Sequence, residues 1–393
     1  MFGPGIAIFV LFWATIAYYL ATPLRTLHRA GNVFGNVTQV NVDTCRKLEV
    51  PGLEGCEDIS IHHPSGLAFM ACSPIETRMK WLPPQGRETP VLENDSIFLY
   101  DIKFGKLYNL RLENFSGEFK SLGLDVVQSP SSPHTVVVMA VNRASTGSSV
   151  EIFDYELPHG DTPQLDGNGR LLSDKLQHRE TVQDRLLLPA PNGIYALSDD
   201  SFYVTNDHHH RSGLWAAFET ITARPWSTVV YRNDQKKLRL AFVGLPAANG
   251  IVINHDRTLA YVAVTMDATI RVFRVSPTSG LFHLAETIKL DMYPDNLSQD
   301  PVTGQIYVTG PVKAIEYLKY CRKPSLKTTQ LAGFKVQQIQ NNTAFSRILG
   351  VNYEVHDYMV EPGMLLPSGS VAAFDPATRR MLVDVHKCLA LNG

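Results

Sequence analysis

Four stretches of this chain repeat one form, in which a polar turn leads into an apolar strand: "IHHPSGLAFMAC", "LSDDSFYVTN", "INHDRTLAYVAV" and "QDPVTGQIYVTG". A further strand usually follows, ending near Tyr-Asp or Phe-Arg. Such a recurrence constrains the fold more than any other feature, because a unit that cannot bury its apolar face alone must stack on its neighbours. Short strands surround these stretches, among them "SIFLYDI" (96–102), "HTVVVMAVN" (134–142), "SSVEIFDYE" (148–156), "STVVYR" (227–232), "LRLAFVG" (238–244) and "SVAAFD" (370–375). Helical periodicity is scarce. "VKAIEYLKYCRK" (312–323) is the one candidate, although "AIEYL" fits an outer strand equally well. Hairpins without helical crossovers predict an all-β architecture. The repeat predicts the inner hairpin of a propeller blade carried around a ring. At about 40–45 residues per blade, residues 45–393 hold a six-bladed β-propeller with insertions at 74–93, 156–184 and 318–366. A β-sandwich would use the strands but leaves the repeat unexplained.

The N-terminus is different. Residues 1–24 carry no charged side chain, and Gly5 to Leu24 has about the length of one helical bilayer crossing. This segment is read as a signal anchor, with a cleaved signal peptide as the competing reading. Residues 25–44 would be a linker and 45–393 the propeller. Arg25, His28 and Arg29 follow the apolar run, which by the positive-inside rule holds the body in the cytoplasm. Five glycosylation sequons argue for the secretory route instead, at Asn36, Asn94, Asn114, Asn296 and Asn341. The formal net charge of −2, with no basic tract, excludes a nucleic-acid partner held by counterion release. Five cysteines are too few for a disulfide scaffold, and none are paired at metal-binding spacing. Cys45 and Cys388 bracket the body and are the expected bridge in an oxidising compartment. The alternative is five free thiols.

In a propeller, the loops at one end of the innermost strands converge on the central tunnel. Asn249 in "ANGIVIN" opens a strand, where an amide residue is out of place. The same interruption recurs as Asn192 in "PNGIYALSDDSFYV", as Asp295 and Asn296 in "PDNLSQDPVTGQIYV", and as Glu57 and Asp58 in "GCEDISIHHPSGLAF". Any one of these alone would be a turn-former. Four in one register supply carboxylate and carboxamide oxygens, the donors that calcium takes six to eight at a time. No His/Cys cluster calls for zinc, and no Gly-x-Ser-x-Gly elbow is present; "PSGS" at 367–370 reads as a turn.

With these pieces in order, the chain resembles the paraoxonase/arylesterase–lactonase family of six-bladed, calcium-dependent hydrolases. The resemblance runs from Cys45 to about Lys387 and rests on "GLEGCEDISIHHPSGLAF", "LLLPAPNGIYALSDDSFYVTNDH", "ANGIVIN", "DNLSQDPVTGQIYV" and "HKCLALN". It implies a catalytic calcium held by Glu57, Asn192, Asn249, Asp295 and Asn296. It also implies a second, structural calcium on Asp58 and the backbone of Leu124, whose usual third ligand is replaced here by Gly193. The family's active-site histidines in "PHG" and "VNH" are replaced by Leu122-Gly123 and Asn142-Arg143, and a third falls at Pro311. Asp207 and His208 in "TNDHHH" match a pocket-wall motif and remain as proton-transfer candidates beside Glu57 and Asp295. His209 and His210 extend that run, read as a solvated loop with a metal site made of the histidines as the alternative. The implied chemistry is metal-assisted attack of water on a lactone or aryl ester, with the apolar helix as a membrane contact. A non-catalytic calcium-stabilised propeller and a sugar-lactonase-like hydrolase are the competing readings.

Overall fold

A computed structural model describes residues 4–33, 35–48, 50, 52–74, 77–78, 81, 94–158, 174–322, 332–341, 352–366, 368–385 and 388–392. A short first strand, β1 (Arg46–Leu48), is followed by twenty-three more, which form six four-stranded antiparallel blades. Blade 1 comprises β2 (Asp58–His62), β3 (Leu67–Cys72), β4 (Ser96–Asp101) and β5 (Lys106–Glu113). Blade 2 comprises β6 (Ser121–Gln128), β7 (Thr135–Asn142), β8 (Ser149–Glu156) and β9 (Lys175–Val182). Blade 3 holds β10 (Pro191–Ala196), β11 (Phe202–Asn206), β12 (Ser227–Arg232) and β13 (Leu238–Leu245). Blade 4 holds β14 (Ala248–Ile253), β15 (Leu259–Val264), β16 (Thr269–Val275) and β17 (Phe282–Lys289). Blade 5 holds β18 (Leu297–Gln299), β19 (Ile306–Pro311), β20 (Phe334–Asn341) and β21 (Tyr353–Glu361). Blade 6 takes β22 (Gly369–Asp375), β23 (Arg380–Val385) and β24 (Cys388–Asn392), and is completed by β1 from the other end of the chain.

The innermost strands β2, β6, β10, β14, β18 and β22 each touch the next, and β22 touches β2, so the ring is closed. Burial falls outward from the tunnel, and the sequence pattern follows it. Second strand β7 is buried along its whole length and reads as an almost continuous apolar run, whereas outer strand β17 exposes every residue from His283 to Ala285. Blades 1 and 2 are further joined at their rims by a parallel pairing of β5 with β9, where Arg111 forks onto Asp174 at 2.7 and 3.0 Å.

Three helices of nine residues or more lie outside the blades among the described residues: α1 (Pro4–Ala30), α2 (Gly213–Thr222) and α3 (Ala314–Arg322). All three sit at the end of the ring where the innermost strands begin. α1 packs on α2 through Tyr19 and Phe218, and Arg29 donates to the carbonyls of Asp267, Ala268 and Leu290. The N–H of Ala314 bonds to Gly31 O at 3.2 Å.

The structure corrects several expectations. Of the two readings left open for 312–323 the helix is the one found, over Ala314–Arg322. The stretches 156–184 and 318–366 are not mere insertions, since they carry β9 and the outer two strands of blade 5; most of 74–93 lies outside the described residues. The disulfide joins Cys56 to Cys72, and Cys45 is a free, half-buried thiol. β1 pairs with β24 so that Arg46 faces Leu391 and Leu48 faces Leu389. Cys45 therefore falls one step past one end of the ladder and Cys388 one step past the other. At about 3.4 Å per residue that offset is roughly 13 Å, beyond the ~7 Å a disulfide reaches.

Candidate metal centre at the tunnel mouth

The position of Asn249 is explained by the backbone. The hairpins of the innermost strands carry a register shift at the same place in four blades: Ser121/Leu124, Pro191/Ile194, Ala248/Ile251 and Gly369/Val371. A bulge re-aims the side chain it carries, and in blades 3 and 4 that side chain is the asparagine of an Asn-Gly pair. The glycine has its own cause. A Cβ on Gly123 would meet Asn192 O at 2.2 Å, one on Gly193 would meet Asn249 O at 2.8 Å, and one on Gly250 would meet Asn296 Cα at 2.7 Å. At three of the six junctions, β6 with β10, β10 with β14 and β14 with the start of β18, the innermost strand thus begins hard against its neighbour. Thr205 helps tie them, accepting from Gly193 N at 2.9 Å and donating to Asn249 O at 2.7 Å.

This geometry brings together the residues expected to bind the first metal. Asn296 Nδ2 donates to Glu57 O at 2.8 Å and lies 3.5 Å from Glu57 Oε1. Asn249 Nδ2 donates to Asp295 Oδ1 at 2.5 Å. Asn192 Nδ2 donates to Asp207 Oδ2 at 3.2 Å. In all three amides the nitrogen is used and the oxygen is not: Oδ1 of Asn192, Asn249 and Asn296 is buried without a hydrogen-bond partner. Buried carbonyl oxygens left in this state are costly, and three at one mouth form a set of cation donors. Burial pushes the Glu57 carboxyl up, partly offset by Arg78 and Asn296. Burial and the neighbouring charge of Glu57 push Asp295 well up. Two carboxyls that resist ionisation beside three unpartnered amide oxygens are what a divalent cation relieves.

The second expected pair behaves differently. Both Asp58 oxygens already accept backbone N–H groups, from Ile59 at 2.9 Å and from Leu124 at 3.0 Å. Leu124 thus turns its N–H, not its carbonyl, to that carboxylate, and Gly193 adds no side chain. Among the described residues no three His, Cys, Asp or Glu side chains come together as a metal cluster. The first site escapes that pattern because three of its five members are amides.

Asp207 and His208 follow β11, in the same blade as Asn192 and directly beside it. Asp207 is buried and shared among four neighbours. Its Oδ2 accepts from Arg143 Nη1 at 2.9 Å and from Asn192, its Oδ1 meets His208 Nδ1 at 2.9 Å, and its carbonyl accepts from Ser227. Burial alone would raise its carboxyl; Arg143, His208 and Asn192 together outweigh burial and hold it at about 2. The other ring nitrogen of His208 meets Thr220 Oγ1 at 2.8 Å, so both are engaged. His209 and His210 are bound through their backbone N–H groups to Glu219 of α2.

Two arginines complete the surroundings. Arg78 is wholly buried; it donates to Ser121 O at 2.9 Å and lies 3.9 Å from both Glu57 and Asp95. Sequence reasoning missed it because it stands in a stretch that shows no repeat. Arg143 was visible only as a departure from a histidine. Tyr317 of α3 also comes close enough for the charges of Asp295 and Glu57 to act on its phenol, and nothing in the sequence marked it.

Fold and site define a class: a six-bladed β-propeller whose tunnel mouth gathers carboxylates and amide oxygens from blades 1, 3, 4 and 5. A family model described as Arylesterase matches residues 36–342. The chain is 32% identical over 281 residues to serum paraoxonase/arylesterase 2 of Gallus gallus, covering 70% of this chain and 71% of that one. It is 29% identical to serum paraoxonase/lactonase 3 of Oryctolagus cuniculus over 87% of both chains. Among solved structures, a luciferin-regenerating enzyme shares the fold, with a TM-score of 0.51 at 12% identity over 91% of this chain and 96% of that one. The chain belongs to the arylesterase family, whose members are esterases and lactonases.

Proposed function

We propose that this protein is a calcium-dependent hydrolase of lactones and aryl esters, working at the mouth of the propeller tunnel. The observation that carries the reading is the trio of buried, unpartnered Oδ1 atoms on Asn192, Asn249 and Asn296 beside Glu57 and Asp295. Those five residues would hold the ion. Calcium, when bound, supplies a Lewis acid that polarises the substrate carbonyl. The protein's own residues do the rest. Asp207 takes the Asn192 amide N–H, and Glu57 and Asp295 take those of Asn296 and Asn249, so each amide presents oxygen and not nitrogen to the mouth. Glu57 and Asp295 are the carboxylates placed to accept the proton of the attacking water. His208, with both nitrogens engaged, serves better to fix Asp207. Water adds across the acyl C–O bond; a lactone opens to a hydroxy acid, and an aryl ester gives an acid and a phenol. No second metal is assigned to Asp58 and Leu124.

The test is a panel of γ- and δ-lactones and phenyl acetate, assayed on full-length protein with and without chelator, with metal content and thermal stability measured in parallel. Chelation is expected to lower activity and melting temperature together, since an ion that binds only the native state stabilises it by mass action. Protein that holds no calcium and ignores chelator in both measurements would refute the reading.

A further inference from the structure

We infer that Arg143 is an anion-binding residue of the tunnel mouth, and that the preferred substrates are lactones or esters bearing a second, carboxylate group. The inference rests on the hydrolase reading only for what that carboxylate is attached to.

Arg143 directly follows β7, at the same end of blade 2 as the start of β6, where its backbone N–H bonds to Lys120 O at 2.8 Å. Its side chain is 3% exposed. Nη1 is committed to Asp207 at 2.9 Å, and this is its one side-chain bond to a described residue. Nε and Nη2 have no partner among the described residues, yet neither is among the sealed, unsatisfied atoms of the interior, which do include Nε of Arg78. Their edge is therefore the part of this buried side chain left unsealed, next to the Nη1 that holds Asp207. Nε and Nη2 point the same way and form the side of the guanidinium that grips a carboxylate with two parallel hydrogen bonds.

The setting keeps that edge aimed. Asp207 cannot swing to cover it, because its other bonds run to Asn192 and His208, and His208 is braced by Thr220. Arg143 also shares Asp207 Oδ2 with Asn192 of the candidate metal centre, at 2.9 and 3.2 Å, which places it one carboxylate away from that centre. Arg78 offers no second choice, being sealed under Ser121 and Asp95. With Glu57 and Asp295 neutralised by a divalent cation and Asp207 paired, the mouth carries no uncompensated negative charge from these groups to repel an anion. A neutral histidine at this position would supply one N–H donor and no permanent charge. Arginine supplies a fixed charge and a two-pronged donor.

The experiment uses the full chain in calcium. A γ-lactone bearing a carboxylate side chain is compared with its neutral primary amide, and glutarate with glutaramide is titrated calorimetrically as a pair that is not hydrolysed. Wild type should favour the acidic lactone through KM, and should bind glutarate but not glutaramide. Arg143→Gln should lower the ratio of kcat/KM for acid over amide at least tenfold and abolish glutarate binding. Arg143→Lys, which keeps the charge and can keep the Asp207 ion pair, should retain part of both. An unchanged ratio in both variants, or wild-type protein that does not distinguish glutarate from glutaramide, overturns the inference. Arg143-dependent glutarate binding in protein that hydrolyses no lactone would uphold the anion site while refuting the hydrolase reading.

Discussion

Replacing Gly250 by alanine adds one methyl group where the ring has no room for it. The new Cβ would stand 2.7 Å from Asn296 Cα, 2.7 Å from Leu297 N and 2.9 Å from Asp295 O. All three are backbone atoms, so no side-chain rotation relieves the contact. Normal spacing requires blades 4 and 5 to part by several tenths of an ångström or more. Overpacking of this kind costs about 1–3 kcal/mol, and the upper end applies here because the neighbours are held by a closed ring. For a domain of this length 1 kcal/mol is less than about 2 °C in melting temperature, so the denaturant midpoint is the better readout. The same displacement moves Asn296 and Asp295, and calcium affinity should fall with stability. Gly304→Ala is the control: its φ is +73° and a Cβ there meets nothing within 4 Å, so it carries only the left-handed backbone penalty of roughly 1 kcal/mol. Gly250→Ala protein no less stable than Gly304→Ala, with unaltered calcium binding, would refute the close approach and the reason given for the Asn-Gly pairs.

Two further predictions use other parts of the molecule. Burial lowers His62 from 6.5 to about 4, so the folded chain keeps it neutral while the unfolded chain protonates it. Stability should therefore fall as pH drops from about 6.5 to 4, by at most about 3 kcal/mol from this group; urea midpoints at pH 7 and 4.5 should converge in His62→Gln, and an undiminished difference would exclude this histidine as the source. Asn36, Asn94, Asn114 and Asn341 are exposed while Asn296 is 2% exposed, so glycopeptide analysis from a eukaryotic host should find glycan only at members of the first group. Occupancy at Asn296 would contradict its place in the metal centre.

The blades were legible because each inner hairpin repeats one pattern at a recurring interval, and the amides were legible because asparagine at the head of a strand conflicts with strand chemistry. What escaped had physical reasons. The segment 314–322 could be named as a helical candidate but not settled, because its apolar residues and tyrosines satisfy two periodicities over a short length. The Cys45–Cys388 pairing failed because bracketing the body fixes neither register nor distance, and a shift of a few residues along a ladder is enough to separate two thiols. Arg78 gave no signal because its role exists only once Ser121, Glu57 and Asp95 surround it. The doubtful second metal was foreshadowed by Gly193, but only the structure shows Asp58 already accepting two backbone N–H groups.

Helix α1 sets the last prediction. It is apolar and long enough to cross a bilayer by composition, yet its second half belongs to the propeller. From Tyr19 onward most of its residues are partly covered, with Leu24, Arg25 and His28 left exposed; Thr26 and Ala30 are buried, and Arg29 is bound to carbonyls of blade 4 and its following loop. Pro4–Tyr18 precedes these contacts, apart from Arg224, which lies over the Tyr18 ring. At 1.5 Å per residue that stretch is about 22 Å, short of the ~30 Å hydrocarbon core. A docked helix that met a membrane would therefore dip into it without traversing it, and full crossing would require the Arg29 bonds and the Tyr19–Phe218 contact to be given up. Full-length protein in vesicles, with Ile8→Cys as a reporter, should stay unlabelled by an impermeant thiol reagent on the side opposite the propeller. Removal of residues 4–18 should abolish vesicle flotation while leaving the denaturant midpoint of the propeller unchanged. Labelling of position 8 from the far side would show that the helix leaves the propeller when it enters the bilayer. The covered half would then be a resting place, and the tunnel face beneath it would be open in the membrane-bound protein.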